Sequence, residues 1–138
     1  MQWYERNKRR LVLEKKAMEL NFPQFELKPD CYGGLCWVGE LRSSSGSAYP
    51  VKLLYPDNYP VDEPRVTVDG IHVPADNWSI HCTRTRVLCL FTRGYNPGTI
   101  TAAALLRRSQ EWLDNYEIWL KTKKWPGKEN LIHRLSHR

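Results

Sequence analysis

Tyr49-Pro50-Val51-Lys52-Leu53-Leu54-Tyr55-Pro56-Asp57-Asn58-Tyr59-Pro60-Val61-Asp62-Glu63-Pro64 is the stretch whose reading decides the fold. Residues 49–55 read as a strand. Prolines 56, 60 and 64 then bracket Tyr59, and each removes a ladder donor and fixes φ, so this segment is neither central strand nor helix. It is expected to be an ordered, stiff loop. Working outward, residues 25–27, 35–41 and 65–68 are further short runs bounded by turn residues, and with 49–55 they form a four-stranded antiparallel meander. Residues 30–34 supply one turn. The serine-rich residues 43–47 supply another, expected to be flexible and solvent-facing.

Helices flank the meander. Residues 1–20 contain no Gly or Pro and place Leu13, Ala17 and Leu20 at i, i+4 and i+7, the spacing of an amphipathic helix whose basic residues face outward. Pro23 ends it. After Gly98, Thr99 or Thr101 can cap a helix running to about residue 121, in which Leu105, Leu106, Trp112, Leu113, Tyr116, Trp119 and Leu120 recur every three or four residues. The basic tail 126–138 opens on Pro126-Gly127, and its segment 129–138 reads either as a last helical turn or as a frayed end. A chain of 138 residues with 41% hydrophobic content builds one core. A single α+β domain over residues 1–138 is expected.

The formal charge is +6 with a pI near 9.3, and cations crowd both ends, Arg6, Lys8, Arg9, Arg10, Lys15 and Lys16 at one of them. Such charge favours an acidic partner surface or nucleic acid, but no nucleic-acid motif accompanies it. Trp112, Tyr116 and Trp119 lie at helical spacing and read as core, not as a base-stacking platform. No apolar run approaches a membrane span, and the N-terminus lacks a signal-peptide core, so a cytoplasmic protein with reduced cysteines is expected.

The chemistry centres on Cys89, set between Leu88 and Leu90 at the end of an irregular stretch, 73–97, that also carries Trp78 and His81. Loops of that length in a small domain usually carry function. Cys89 has two readings: a small buried hydrophobe, or a nucleophile whose thiolate is favoured by Arg84, Arg86 and Arg93 nearby in sequence. His81 either orients the loop or assists proton transfer. Tyr95 and Asn96 form either a gate over the thiol or a plain turn. Cys31, Cys36, Cys82, Cys89, His72 and His81 could ligate zinc, but the intervals Cys31-x4-Cys36 and Cys82-x6-Cys89 fit a closed site poorly, and no metal or other cofactor is expected.

In order and motif the chain resembles the ubiquitin-conjugating enzyme family. Trp37, Gly39 and Leu41 resemble that family's first strands, and Pro56-x-x-Tyr59-Pro60-x-x-x-Pro64 resembles its proline-tyrosine loop. His81 falls where the family has His-Pro-Asn, Leu88-Cys89-Leu90 resembles its catalytic Ile-Cys-Leu, and Asn96-Pro97 with residues 99–106 resembles the following loop and helix. The closing run from Trp112 to Trp125-Pro126-Gly127 looks more like the bacterial ubiquitin-conjugating-enzyme-like proteins of CBASS antiphage operons, which carry a cGAS-like nucleotidyltransferase.

The resemblance implies a cysteine-dependent enzyme in which Cys89 accepts a protein C-terminus as a thioester and passes it to an amine. The acyl donor would be a ubiquitin-like protein or the cGAS-like nucleotidyltransferase. Because the chain lacks a nucleotide-binding Gly-rich loop, either a separate activating enzyme or a donor already activated is expected. The resemblance makes Cys89, His81 and Asn96 the catalytic candidates. Partner contacts would fall on the basic helix, Arg6, Arg9 and Arg10, and on the loops carrying Tyr59, Tyr95 and Pro97. The chain departs from the family where Cys82-Thr83 replace Pro-Asn after His81. Oxyanion stabilisation then falls to main-chain N–H groups near Cys89, to the Asn96 amide or to His81. A catalytically silent binding module of the same fold is the alternative, and a charge-driven nucleic-acid binder a weaker third.

Overall fold

The computed structural model describes residues 2–30, 33–90 and 95–126. Four strands, β1 (Glu26–Pro29), β2 (Leu35–Arg42), β3 (Ala48–Leu54) and β4 (Arg65–Val68), pair antiparallel in sequence order, as the turn spacing predicts. The register sets Leu27 against Trp37, Trp37 against Leu53 and Leu53 against Val66, and Gly39 against Val51 and Val51 against Val68. Alternate side chains of a strand share a face, so these rows place Trp37, Leu41, Val51, Leu53, Val66 and Val68 in the core. Gly39 interrupts the row for a packing reason: a Cβ there would lie 2.7 Å from the Phe25 ring, which fills that space.

The terminal helix, α3 (Ala102–Thr122), begins where Thr101 Oγ1 accepts the Ala104 N–H at 3.2 Å, which selects Thr101 over Thr99 as the cap. Leu105, Leu106, Trp112, Leu113, Tyr116 and Trp119 are buried along it, and α3 packs on both the N-terminal helices and the sheet. Leu120, placed by its spacing on the same stripe, is instead exposed. Helix α3 ends at Lys123, in left-handed conformation, whose ammonium sits 4.7 Å from the Trp119 ring. The chain then turns back and buries Trp125.

The N-terminal segment differs from its expected form in two ways. It is two helices, α1 (Trp3–Arg6) and α2 (Lys8–Asn21), divided at Asn7, whose side chain caps α2 by accepting the Arg10 N–H at 3.1 Å. The apolar stripe also faces the wrong way, since Leu13 is 51% and Leu20 84% exposed, while Glu14 and Met18 are buried. Four hydrogen-bonding or charged partners offset the desolvation of Glu14. Its Oε1 accepts from Tyr55 Oη at 2.8 Å, Tyr59 Oη at 3.0 Å and the Ala102 N–H at 2.9 Å, and Oε2 lies 3.4 Å from Arg10 Nε. Arg10 consequently turns inward while Arg6, Lys8, Arg9, Lys15 and Lys16 face outward.

The serine turn faces solvent at residues 44–47, as expected, but it is anchored. Ser44 donates to Asp114 from both its main-chain N–H, at 2.7 Å, and its hydroxyl, at 2.8 Å, and Ser45 Oγ donates to Glu117 at 2.7 Å. Carboxylates one turn apart on α3 therefore hold the β2–β3 turn down. No periodicity in the turn itself announces partners 70 residues away. The tail 127–138, the turn residues Cys31 and Tyr32, and Arg93 lie outside the described residues.

Candidate active site

The irregular stretch before Cys89 is built by α3. Tyr116 Oη accepts the His72 N–H at 2.7 Å, and Trp112 Nε1 donates to the carbonyls of Ile80 at 2.9 Å and His81 at 3.2 Å. A short 3-10 turn (Asn77–Ile80) then ends at His81, whose φ of 53° reverses the chain. Buried Asn77 holds that reversal through its amide, which donates to the Cys82 carbonyl at 2.7 Å.

Residues 82–88 return as a small hairpin. Cys82 bridges to Leu88, the Thr83 N–H donates to Val87 at 2.9 Å, and the Leu88 N–H donates to Val66 on β4 at 2.9 Å. Isolated bridges thus order part of the irregular stretch expected there, and so few paired residues leave no alternation to reveal them. They deliver Cys89 to a fixed position, with its N–H donating to the His81 carbonyl at 2.9 Å. Cys89 is partly exposed, whereas Cys36 and Cys82 are buried.

Cys89 lines a cleft with His81 and Leu90. Arg108, Trp112 and Asn115, at i, i+4 and i+7 on α3, face it, and Trp125 also lines it. The His81 ring lies 5.4 Å from the Trp125 ring, which also touches Trp112 at 5.5 Å. Arg108 Nη1 donates to the Leu90 carbonyl at 3.2 Å.

Of the arginines near Cys89 in sequence, Arg84 and Arg86 fall within the described residues and Arg93 does not. Burial pushes the Cys89 thiol up from its ordinary value, and the Glu63 carboxylate pushes it further. Arg84 and Arg86 do not counter this. Arg84 reaches the Ala75 carbonyl at 3.5 Å, and Arg86 acts on the deeper Cys82 thiol. The oxyanion candidates also narrow, because the Cys89 N–H is already engaged by His81. Asn96 Oδ1 accepts the Gly98 N–H at 2.9 Å, and its Nδ2 makes no hydrogen bond among the described residues. The Tyr95 hydroxyl donates to the Pro60 carbonyl at 2.7 Å, tying the loop after Cys89 to the proline-bracketed loop. Arg10 fastens the same region through the Pro97 carbonyl at 3.0 Å, Ile100 at 2.8 Å and Tyr59 Oη at 2.8 Å. Of the expected partner-binding residues, Arg6 and Arg9 are on the surface, while Arg10 and Tyr59 hold the interior together.

A family model described as type II CBASS E2 protein matches residues 14–134. The chain belongs to that family. No curated protein sequence matches it. Among solved structures, the fold is similar to the yeast Vps23 UEV domain bound to a Vps27 PSDP peptide, at 15% identity and TM-score 0.55, over 76% of this chain and 80% of that one. A complex of the Vps23 UEV with ubiquitin is similar at 14% identity and TM-score 0.52, over 74% and 79% of the two chains. At such identity the likeness is one of fold.

In this CBASS E2 protein, Cys89 and His81 meet through the main chain, and Asn96 lies in the turn leading to α3. Sequence reasoning missed Glu63, Arg108, Asn115 and Asn77. Arg108 and Asn115 had a usable signal, their i, i+4, i+7 spacing with Trp112, but Glu63 had none. Among the described residues no three His, Cys, Asp or Glu side chains gather into a metal-binding group, and no helix is long and apolar enough to cross a membrane.

Proposed function

We propose that this protein carries a protein C-terminus on Cys89 as a thioester and transfers it to an amine, and that its donor in CBASS signalling is a cGAS-like nucleotidyltransferase or a ubiquitin-like protein. The observation that carries the reading is that Cys89, alone among the described cysteines, reaches solvent, on a main-chain bond that fixes its position at the mouth of a cleft. A thioester suits the task because it keeps the acyl group activated toward amines. His81 positions the thiol through its carbonyl, and the Nδ2 of Asn96, which makes no hydrogen bond among the described residues, is the donor offered to the oxyanion. A separate activating enzyme supplies the acyl group. The surface of α2, where exposed Val12, Leu13 and Leu20 lie among Lys8, Arg9, Lys15 and Lys16, suits docking of an acidic partner.

The test is adduct formation, read by intact mass, with each candidate donor presented as a C-terminal thioester. Wild type forms a thioester, Cys89→Ser a more stable oxyester, and Cys89→Ala no adduct; conjugation by the alanine variant overturns the assignment. The raised thiol favours a second reading, a silent module that only holds its partner. The structurally similar Vps23 domain is itself seen with ubiquitin. This reading predicts that Cys89 in the native protein resists iodoacetamide at neutral pH.

A further inference from the structure

The carbonyl of a thioester is bonded to the sulfur that carries it, so the last residues of an acyl donor must lie against the walls of the Cys89 cleft. Those walls leave little room. The cleft keeps about 10 Å³ of free space, close to the least that a single water needs. A peptide cannot enter it as it stands.

The bulkiest side chains of the lining are two indoles, Trp112 and Trp125, and they are held differently. Trp112 belongs to α3 and donates to the Ile80 and His81 carbonyls. Trp125 lies beyond the helix. Lys123, with a φ of 59°, turns the chain back, and the Trp125 ring comes to rest 5.4 Å from the His81 ring and 5.5 Å from the Trp112 ring, only 6% exposed. The residues that lead to it are tethered only locally. The Lys123 N–H donates to the Trp119 carbonyl at 2.7 Å, and Lys124 meets the Thr122 hydroxyl through both its N–H and its carbonyl, at 3.2 Å each. Among the described residues, no hydrogen bond of Lys123 or Lys124 reaches the opposite wall of the cleft, residues 81–90. Short segments with few bonds to the rest of a fold open at low cost.

Asn115 marks what could take the place of the indole. It lines the same cleft, and its side chain makes no hydrogen bond among the described residues. An amide side chain offers a donor and an acceptor together, which an extended main chain matches with its own N–H and C=O.

We propose that Trp125 is a removable plug in the Cys89 cleft, expelled by the C-terminal segment of the acyl donor, which takes its place beside Trp112 and Asn115. The inference rests on the thioester reading above and adds how a donor enters a cleft that is already filled. The free protein is thereby guarded. Small reagents reach the thiol at the mouth of the cleft, while a peptide enters only when its own contacts outweigh the burial that Trp125 gives up.

The test uses the full chain in a Cys31→Ser background and follows alkylation of Cys89 by iodoacetamide, a small probe, and by N-phenylmaleimide, a bulky one. Buried Cys36 and Cys82 report any general loosening. If the open state is a minor one of about 10% or less, Trp125→Ala raises the maleimide rate by about 10-fold or more, and the iodoacetamide rate by less, with Cys36 and Cys82 still protected. Free indole, filling the vacated space as apolar ligands fill an engineered cavity, returns the rate toward that of the wild type. Should the alanine variant loosen all three cysteines, Trp125→Phe, which keeps a smaller ring, decides by the same measure. An unchanged Cys89 rate in a variant whose other cysteines stay protected overturns the plug. Loading is then compared from the mercaptoethanesulfonate thioesters of a short peptide and of N-acetylglycine, and Trp125→Ala is expected to speed the peptide more. Equal effects on the two donors, with alkylation as expected, show that the plug does not yield to the donor segment. If neither wild type nor variant loads, the thioester reading falls, and the donor's part in this inference falls with it.

Discussion

The main-chain N–H of Cys89 donates to the carbonyl of His81 at 2.9 Å, and that carbonyl also accepts the indole N–H of Trp112 at 3.2 Å. The pair links the Cys89 backbone to helix α3 through a histidine whose ring need not take part. It also explains how a chain without Pro-Asn after its histidine keeps this loop ordered: Asn77, Trp112 and Tyr116 bond its main-chain groups instead.

Trp112→Phe tests this linkage. The substitution keeps an aromatic ring but strips the buried Ile80 and His81 carbonyls of a donor, which costs about 1–3 kcal/mol. Urea denaturation should show the loss. Amide exchange at Cys89, followed by NMR, should accelerate more than exchange within β2 and β3. Uniform acceleration across the sheet would show that Trp112 does not hold Cys89 specifically.

Glu14→Leu leaves the Arg10 guanidinium inside without its carboxylate and removes the acceptor shared by Tyr55, Tyr59 and the Ala102 N–H. Removing one partner of a buried pair costs about 3–5 kcal/mol. The double variant Arg10→Met/Glu14→Leu should recover part of that loss. Denaturation of all four members of the cycle measures the coupling, and strictly additive single effects would rule it out.

The cysteines are expected to alkylate in order of burial. In a Cys31→Ser background Cys89 reacts with iodoacetamide in the native protein, while Cys36 and Cys82 react only on unfolding. Burial, and then the neighbouring Cys89 thiolate, push Cys82 up to about 12. An unfolded thiol ionises near 8.5, so the stability tied to Cys82 is complete below about 8.5 and is lost as pH rises toward its folded value. Denaturation midpoints should fall over that window, less steeply in Cys82→Ala.

Glu117 gives the opposite sign. Burial tends to raise its carboxyl, but the hydroxyls around it outweigh that and hold the group below its ordinary value, with Ser45 and Tyr49 donating directly at 2.7 and 2.8 Å. The stability it contributes is present above the unfolded pKa of about 4.3 and lost as pH falls through the lowered folded value. Glu117→Gln should therefore flatten the acid side of the stability profile, as measured by thermal melts between about pH 6 and 3. An unchanged profile would mean the serine turn is held by Asp114 alone.

Much of the architecture was legible because local patterns encode it. Alternation in residues 49–55 and 65–68, proline punctuation at 56, 60 and 64, and three- and four-residue spacing from Leu105 to Trp119 each report which side of an element is apolar. The helix preceding the sheet was misread for the same reason. Periodicity counts Leu13, Ala17 and Leu20 as a core face, but the buried face contains Arg10 and Glu14. A charged pair can be buried only where tyrosine hydroxyls and a helix N-terminus arrive from elsewhere in the chain to satisfy it.

The sequence by itself determined the strand order, the terminal helix, the stiff proline loop and the choice of Cys89 as the residue to test, since each rests on neighbours a few positions apart. Only the tertiary structure decided what surrounds that thiol. Arg84 and Arg86, close in sequence, do not help the thiolate, while Glu63, 26 positions before Cys89, raises its pKa. Electrostatic interactions fall off with distance in space and not along the chain, and folding sets that distance.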